Sequence, residues 1–351
     1  MRANLEGVAP FYARPVRPAY ELALSSQNSF ELSKPQLPVS HSMVTLICVG
    51  NSLMMSVVPC VKNRSAIVRK QMMRFPFIFL LIPLLVLPSE ALVKDRLPHG
   101  GVAEASGNGP VRAWYEKPTQ RYDHGVLGDA IEGGSLVVFD DAGRKFELVL
   151  PEAFVFEDVM PRIADLDGDG QNEVVTIRTK LSAGAAVAVY QLRSGRLVEK
   201  ASTPPLGIPH RWLSIAGIGN FLGIGRREIA VVKTPHIGGV LEILSLQGNK
   251  LVRLYEPQLG YSTHFIGARF VSLAVVGDVM GEGVSNLVLP NQRRDRIIVL
   301  DLRKGVDVLA SRDLPARIVQ PLRLLGQGRL EAMLETGQSA VVDLSKDQPT
   351  R

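Results

Sequence analysis

Three aspartates, Asp165, Asp167 and Asp169, stand at alternate positions, with Gly168 and Gly170 interleaved. Carboxylates at i, i+2 and i+4 can converge on one point when glycines let the backbone wrap tightly. Converged carboxylates repel one another unless a cation sits among them. Calcium is the hard cation suited to such a set, taking six to eight oxygens at about 2.3–2.6 Å. Gln171 can add a backbone carbonyl, and Glu173, at position nine, can close the shell. The predicted calcium ligands are therefore Asp165, Asp167, Asp169, Gln171 and Glu173. An EF-hand would require a bidentate Glu at position twelve and a following helix. Position twelve is Thr176, and 174–177 is β-branched strand sequence, so that motif is disfavoured. The plain alternative is an Asp/Gly-rich turn without metal.

The surroundings of this loop recur. Asn220-Phe-Leu-Gly223-Ile-Gly225-Arg-Arg-Glu228 and Asp278-Val-Met-Gly281-Glu-Gly283-Val-Ser-Asn286 repeat its shape, 55 and 58 residues further on in turn. A weaker copy surrounds Gly326-Gln-Gly328. Each has Gly-x-Gly, an acidic residue or Asn three positions later, then an apolar run. Short strands separated by turn signals follow, at 185–191, 240–246 and 296–302. A partial unit at 125–150 precedes the first loop. Units of about 40–50 residues with four short strands are the signature of propeller blades. The segment 92–351 has room for about five, which predicts an all-β propeller of about five four-stranded blades, with six or seven irregular blades as the alternative. Only the first loop keeps its carboxylate triplet. Asp278, Glu282 and Asn286 form a weaker second metal candidate, and the remaining loops are expected to be kept for shape.

The run Asp165-x-Asp-Gly-Asp-Gly-x-x-Glu173 before an apolar strand resembles the calcium loop of FG-GAP/VCBS-type repeats, as in integrin α-subunit propellers. Residues 270–283 resemble the longer FG-GAP form, with Val271 where a Gly would stand. The resemblance covers about 160–290 well and the flanks loosely. As a whole the body resembles exported bacterial VCBS repeat-containing proteins. It implies a propeller, Ca²⁺ and a binding role, with no particular ligand.

Residues 72–91 read as a secretory signal peptide: Arg74, an apolar run at 75–87, and Ser89-Glu90-Ala91 as a small-x-small cleavage site. This predicts an exported protein, periplasmic or secreted, with no membrane span in the mature chain. Residues 1–71 are then a non-native or disordered leader, and 92–351 the propeller domain. The formal charge of +6 is concentrated in the leader: residues 1–91 hold nine basic and four acidic residues, leaving 31 and 30 for the rest. No basic stripe interleaved with aromatics marks the body, so nucleic acid is not expected as a partner. Both cysteines, Cys48 and Cys60, lie in the leader, which leaves the body without disulfide or thiolate chemistry.

No P-loop, Gly-x-Ser-x-Gly elbow or other catalytic motif is present. His210, His236 and His264 fall in successive units and can converge on a central channel, each with a plain reading as a hydrogen-bonded loop residue. Trp212 and Tyr261 are candidates for an exposed anchor patch, with core packing between blades the plainer reading of Trp212. With His210, Trp212, His236 and His264 as the possible ligand face, the expected function is a monomeric, non-catalytic module for a protein or glycan ligand. The alternative is a propeller enzyme, a lyase or hydrolase with its site at the channel mouth. A structural envelope component is the third reading.

Overall fold

The computed structural model describes residues 95–344 except Gln327, together with the backbone of 44–49 and 52–57. The chain divides into two units, 1–84 and 85–351. In the first, Val44–Val49 pairs antiparallel with Ser52–Val57. The signal-peptide segment 72–91 and the rest of the leader lie outside the described residues. Among the described residues no helix is long and apolar enough to cross a membrane.

The second unit is all-β and built from antiparallel meanders. Pro110–Thr119, Glu132–Asp140 and Lys145–Val149 form the first, with Ala103–Glu104 at its edge. Arg162–Ala164, Glu173–Lys180, Gly184–Arg193 and Arg196–Ser202 form the second. Phe154–Phe156 pairs with both and joins them into one sheet. Leu213–Gly219, Glu228–Lys233, Val240–Gln247 and Lys250–Arg253 form the third. The fourth is Val275–Gly277, Asn286–Pro290, Arg296–Asp301 and Asp307–Asp313. Arg323–Gly326, Arg329–Met333 and Ser339–Asp343 make the last.

Glu228–Lys233 and Asn286–Pro290 centre on unbroken apolar runs, and Glu173–Lys180 on Val-Val-Thr-Ile, and the packing shows why. Successive side chains on a strand point to opposite faces. Val174 enters a core with Tyr115, Phe156 and Tyr190, whereas Val175 and Ile177 enter the next core with Ile215, Ile229 and Val231. Ala230 and Val232 then face Leu287 and Leu289, and Val288 faces Leu330 and Ala332. The internal meanders are thus buried on both faces, and successive meanders stack through shared cores. Each fully buried aliphatic side chain contributes about 1.5–3 kcal/mol.

The first strands of the third and fourth meanders approach closely, and glycine makes the approach possible. A Cβ on Gly217 would collide with Cγ2 of Val276, and one on Gly219 would lie 2.6 Å from its Cγ1. Gly217→Ala is therefore expected to cost about 1–3 kcal/mol, the overpacking range. Val276→Ala in the same chain should recover part of that loss. Urea melts of the two single variants and the double variant measure the coupling, and additive losses would show that the two residues do not collide.

Candidate functional site

The 165–173 loop connects Arg162–Ala164 to Glu173–Lys180. Gly168 (φ +75°) and Gly170 (φ +85°) take the left-handed conformation that glycine tolerates. Their amides donate to the two carboxylate oxygens of Asp165, at 2.8 and 3.0 Å. Glu173 reaches back to accept the Leu166 amide at 2.9 Å. Carboxylate oxygens of Asp165, Asp167 and Glu173 lie within 4.8 Å of one another and can hold a metal ion. Asp169 is outside that group: it is exposed and accepts the Gln171 amide at 2.8 Å. Gln171 is exposed as well and forms a β-bridge with Asn108.

Two observations test whether a cation suits these residues. Asp167 Oδ1 is buried without a hydrogen-bond partner. The other oxygen, Oδ2, lies 2.7 Å from the ammonium of Lys200, which is also 2.7 Å from Glu173 Oε1. Burial alone would lower the Lys200 pKa, but its hydrogen bonds to Asp167 and Glu173 outweigh that and hold it above its ordinary value. Burial raises the Glu173 pKa against the pull of the same lysine. The donor set fits a cation, and Lys200 already supplies one. The lysine is 27 positions beyond Glu173 in the chain, and no local pattern marks it.

The related loops show what the recurring last residue does. Glu228 Oε2 accepts the amides of Phe221 and Leu222 at 3.0 and 3.3 Å. Asn286 Oδ1 accepts those of Val279 and Met280 at 3.1 and 3.2 Å. Asp278 braces the amides of Glu282 and Gly283 as Asp165 braces its glycines. Glu282 pairs instead with Arg303 at 2.6 Å. Among the described residues, Asp165, Asp167 and Glu173 are the acidic groups close enough to share an ion; in the later loop Asn286 Oδ1 is taken by two amides and Glu282 by Arg303. Glu228→Ala strips the acceptor from two amides and is expected to cost about 1–3 kcal/mol, while Glu228→Gln, which keeps an acceptor, costs less. Thermal melts of the pair check this, and equal losses would sink the bracing role.

A second constellation surrounds a cavity of about 370 Å³. His210, Trp212 and His236 line it, as does His124 from beside the short 3-10 turn Gly125–Leu127. The His124 Nδ1 is hydrogen-bonded to the fully buried Glu157, whose other oxygen accepts the Thr179 hydroxyl. Burial raises the Glu157 pKa, opposed by the hydrogen bonds from His124 and Thr179. The Trp212 indole N–H donates to the Glu157 backbone carbonyl at 2.9 Å. His210 stacks on Tyr122 with ring centroids 5.1 Å apart and meets His124 edge-on at 5.4 Å.

His236 Nε2 lies 3.0 Å from His264 Nδ1, and His264 Nε2 lies 2.9 Å from the Ala268 carbonyl. A carbonyl only accepts, so His264 carries its proton on Nε2. Its Nδ1 is then bare, and His236 must donate from Nε2. Burial, aided by neighbouring positive charge, lowers both pKa values to about 4, so both rings are neutral at pH 7.

Three of the four histidine and tryptophan residues expected to form a ligand face thus line one cavity, with His264 behind His236. The candidate anchors are not exposed: Trp212 is 3% and Tyr261 8% accessible, because both pack into cores between meanders, which for Trp212 is its plainer reading. Glu157 gave no sequence signal. Its only connection to His124 is tertiary.

No protein-family model matches the chain, and no curated protein does. Solved structures similar to it include the exotype rhamnogalacturonan lyase YesX, with a TM-score of 0.44 at 13% identity over 72% of this chain and 50% of that one. Rhamnogalacturonan lyase YesW gives a TM-score of 0.45 at 14% identity over 72% and 50%. Bacillus licheniformis rhamnogalacturonan lyase PL11 gives 0.46 at 13% identity over 72% and 52%. The chain spans about half the length of these structures, and at such identity and TM-score the likeness carries no activity to it. The expectation of a non-catalytic binding module is nevertheless corrected here. The candidate anchors of an exposed patch are buried, and the cavity gathers the titratable side chains of His124, His210, Arg211 and His236.

Proposed function

We propose that this protein is an enzyme, a lyase or hydrolase that works by general acid–base catalysis in the histidine-lined cavity. The observation that carries this reading is the His124–Glu157 pair. Glu157, fixed from behind by Thr179, accepts the Nδ1 proton of His124 and so sets its tautomer. The Nε2 lone pair is then the base available to the cavity. It can take a proton from a bound substrate or from a water and return it to the leaving group.

Among the described residues no Ser or Cys lines the cavity, and the Thr234 hydroxyl there donates to the Ile237 carbonyl at 3.0 Å. That favours direct proton transfer over a covalent intermediate. Arg211, exposed at the wall, is placed to meet an anionic substrate group. Val126, Ile237 and Ile266 supply apolar wall beside it.

The stacked meanders support a propeller of five units related to FG-GAP/VCBS repeats, and the signal-like segment at 72–91 supports export to the periplasm or medium. The carboxylates of Asp165, Asp167 and Glu173 support calcium as the metal ion that loop would take, distant from the histidines in sequence. The test is a screen of the purified protein against acidic polysaccharides and esters. Elimination would be read as a new conjugated double bond by ultraviolet absorbance, and hydrolysis as released acid. Turnover that vanishes with His124 is the expected result. Turnover indifferent to His124 would overturn the assignment of the site.

A further inference from the structure

The cation of the 165–173 loop is delivered by a backbone irregularity. Ala201 stands opposite Val189 and Glu199 opposite Tyr190, so Lys200 is the extra residue of a β-bulge in Arg196–Ser202. Bulges re-aim a side chain out of the regular pleat. Here the lysine is turned onto Asp167 and Glu173, with 8% of its side chain exposed.

The fourth meander provides an internal comparison. Its last strand, Asp307–Asp313, carries a bulge in the corresponding place: Val308 opposes Leu300 and Ala310 opposes Val299, which leaves Leu309 as the extra residue. Leu309 packs into the core that holds Val279 and Met280, at the loop whose carboxylate triplet is lost. One chain therefore pairs a lysine bulge with the loop that keeps Asp167 and a leucine bulge with the loop that has Met280 in that place.

We infer that Lys200 is the resident cation of the 165–173 loop, clamping Asp167 to Glu173 without metal, and that calcium enters only by displacing it. The displacement half rests on the reading of the loop as a calcium site; the clamp does not. An ion and an ammonium bound to the same oxygens would sit within about 5 Å of each other and repel. Asp167 Oδ1, buried without a partner, is the ligand atom that the ammonium leaves unused.

Thermal melting of the full chain and of Lys200→Met, each in EDTA, in about 1 mM calcium and in magnesium, tests both halves. Wild-type melting is expected to be the same in EDTA and in calcium. Lys200→Met should melt about 10 °C lower in EDTA and recover most of that in calcium but not in magnesium. A wild-type protein that itself loses stability in EDTA would overturn the inference while leaving calcium in the loop. An unchanged Lys200→Met in EDTA would overturn the clamp. A Lys200→Met loss that calcium does not repair, but Asp167→Asn does, would uphold the clamp and defeat the calcium reading. The double variant Lys200→Met/Asp167→Asn, with less repulsion, keeps the comparison readable if the single variant does not fold in EDTA.

Discussion

His124→Gln is expected to lower turnover at the cavity by about 10²–10⁴-fold with little change in stability, the range over which a positioned general base contributes. The imidazole is held from behind by Glu157. Glu157 is fully buried and receives two hydrogen bonds, so its carboxylate cannot rotate away from Nδ1. A glutamine side chain at position 124 retains a polar group for Glu157 but presents no basic nitrogen to the substrate. Glu157→Gln makes a sharper version of the test. Its amide oxygen would take the Thr179 hydroxyl and its NH₂ would face Nδ1. That forces the His124 proton onto Nε2 and removes the base without moving the ring. Both variants should therefore lose kcat far more than they raise KM. A Glu157→Gln enzyme with wild-type kcat would show that the tautomer does not matter and that His124 is not the base.

The contrast between the two sites explains what could be read from sequence. The loop at 165–173 and its relatives were legible because their determinants are local. Gly168 and Gly170 adopt positive φ within the loop, and Glu173, Glu228 and Asn286 bond to amides six or seven residues back. Strand identity was legible for the same reason, since apolar runs such as Val174–Ile177 need burial on both faces. The function of the last residue was not legible: a ligand to calcium and a brace for amides demand the same carboxylate at the same spacing. Lys200 and Glu157 were invisible because each acts through a tertiary contact across 27 or 33 residues. Trp212 beside His210 and Arg211 reads from sequence as a surface anchor or, more plainly, as core packing between units; its ring lies in the core between the second and third meanders while its N–H holds the Glu157 carbonyl. Types and spacing marked the cavity histidines as candidates. The pairing of His124 with a buried acid, which makes it a base, depends on the fold.

Acidification is expected to destabilise the protein through His236 and His264. Both are neutral in the folded state, with burial setting their pKa values at about 4 against about 6.5 when unfolded. Between those values the unfolded chain binds more protons, so stability rises with pH. The contribution is complete above about pH 6.5, is lost as pH falls toward 4, and changes no further below that. For the more deeply buried His264 the difference corresponds to about 3 kcal/mol, and for the partly exposed His236 to less. The two rings share a hydrogen bond, so the pair yields less than twice that. Protonating His264 Nδ1 would set two N–H groups face to face at 3.0 Å, with the positive charge of Arg294 opposing it further. Glu132 works in the opposite direction. Burial raises its pKa to about 9, so its contribution falls as pH rises from about 4.5. The histidine part is isolated by the double variant His236→Gln/His264→Gln, in which the amide introduced at position 264 can still donate to the Ala268 carbonyl. Melts at about pH 7, 5.5 and 4, spanning the two pKa values, should show a markedly flatter profile for the variant than for wild type. Parallel profiles would mean that the pair is already protonated, or freely solvated, in the folded protein.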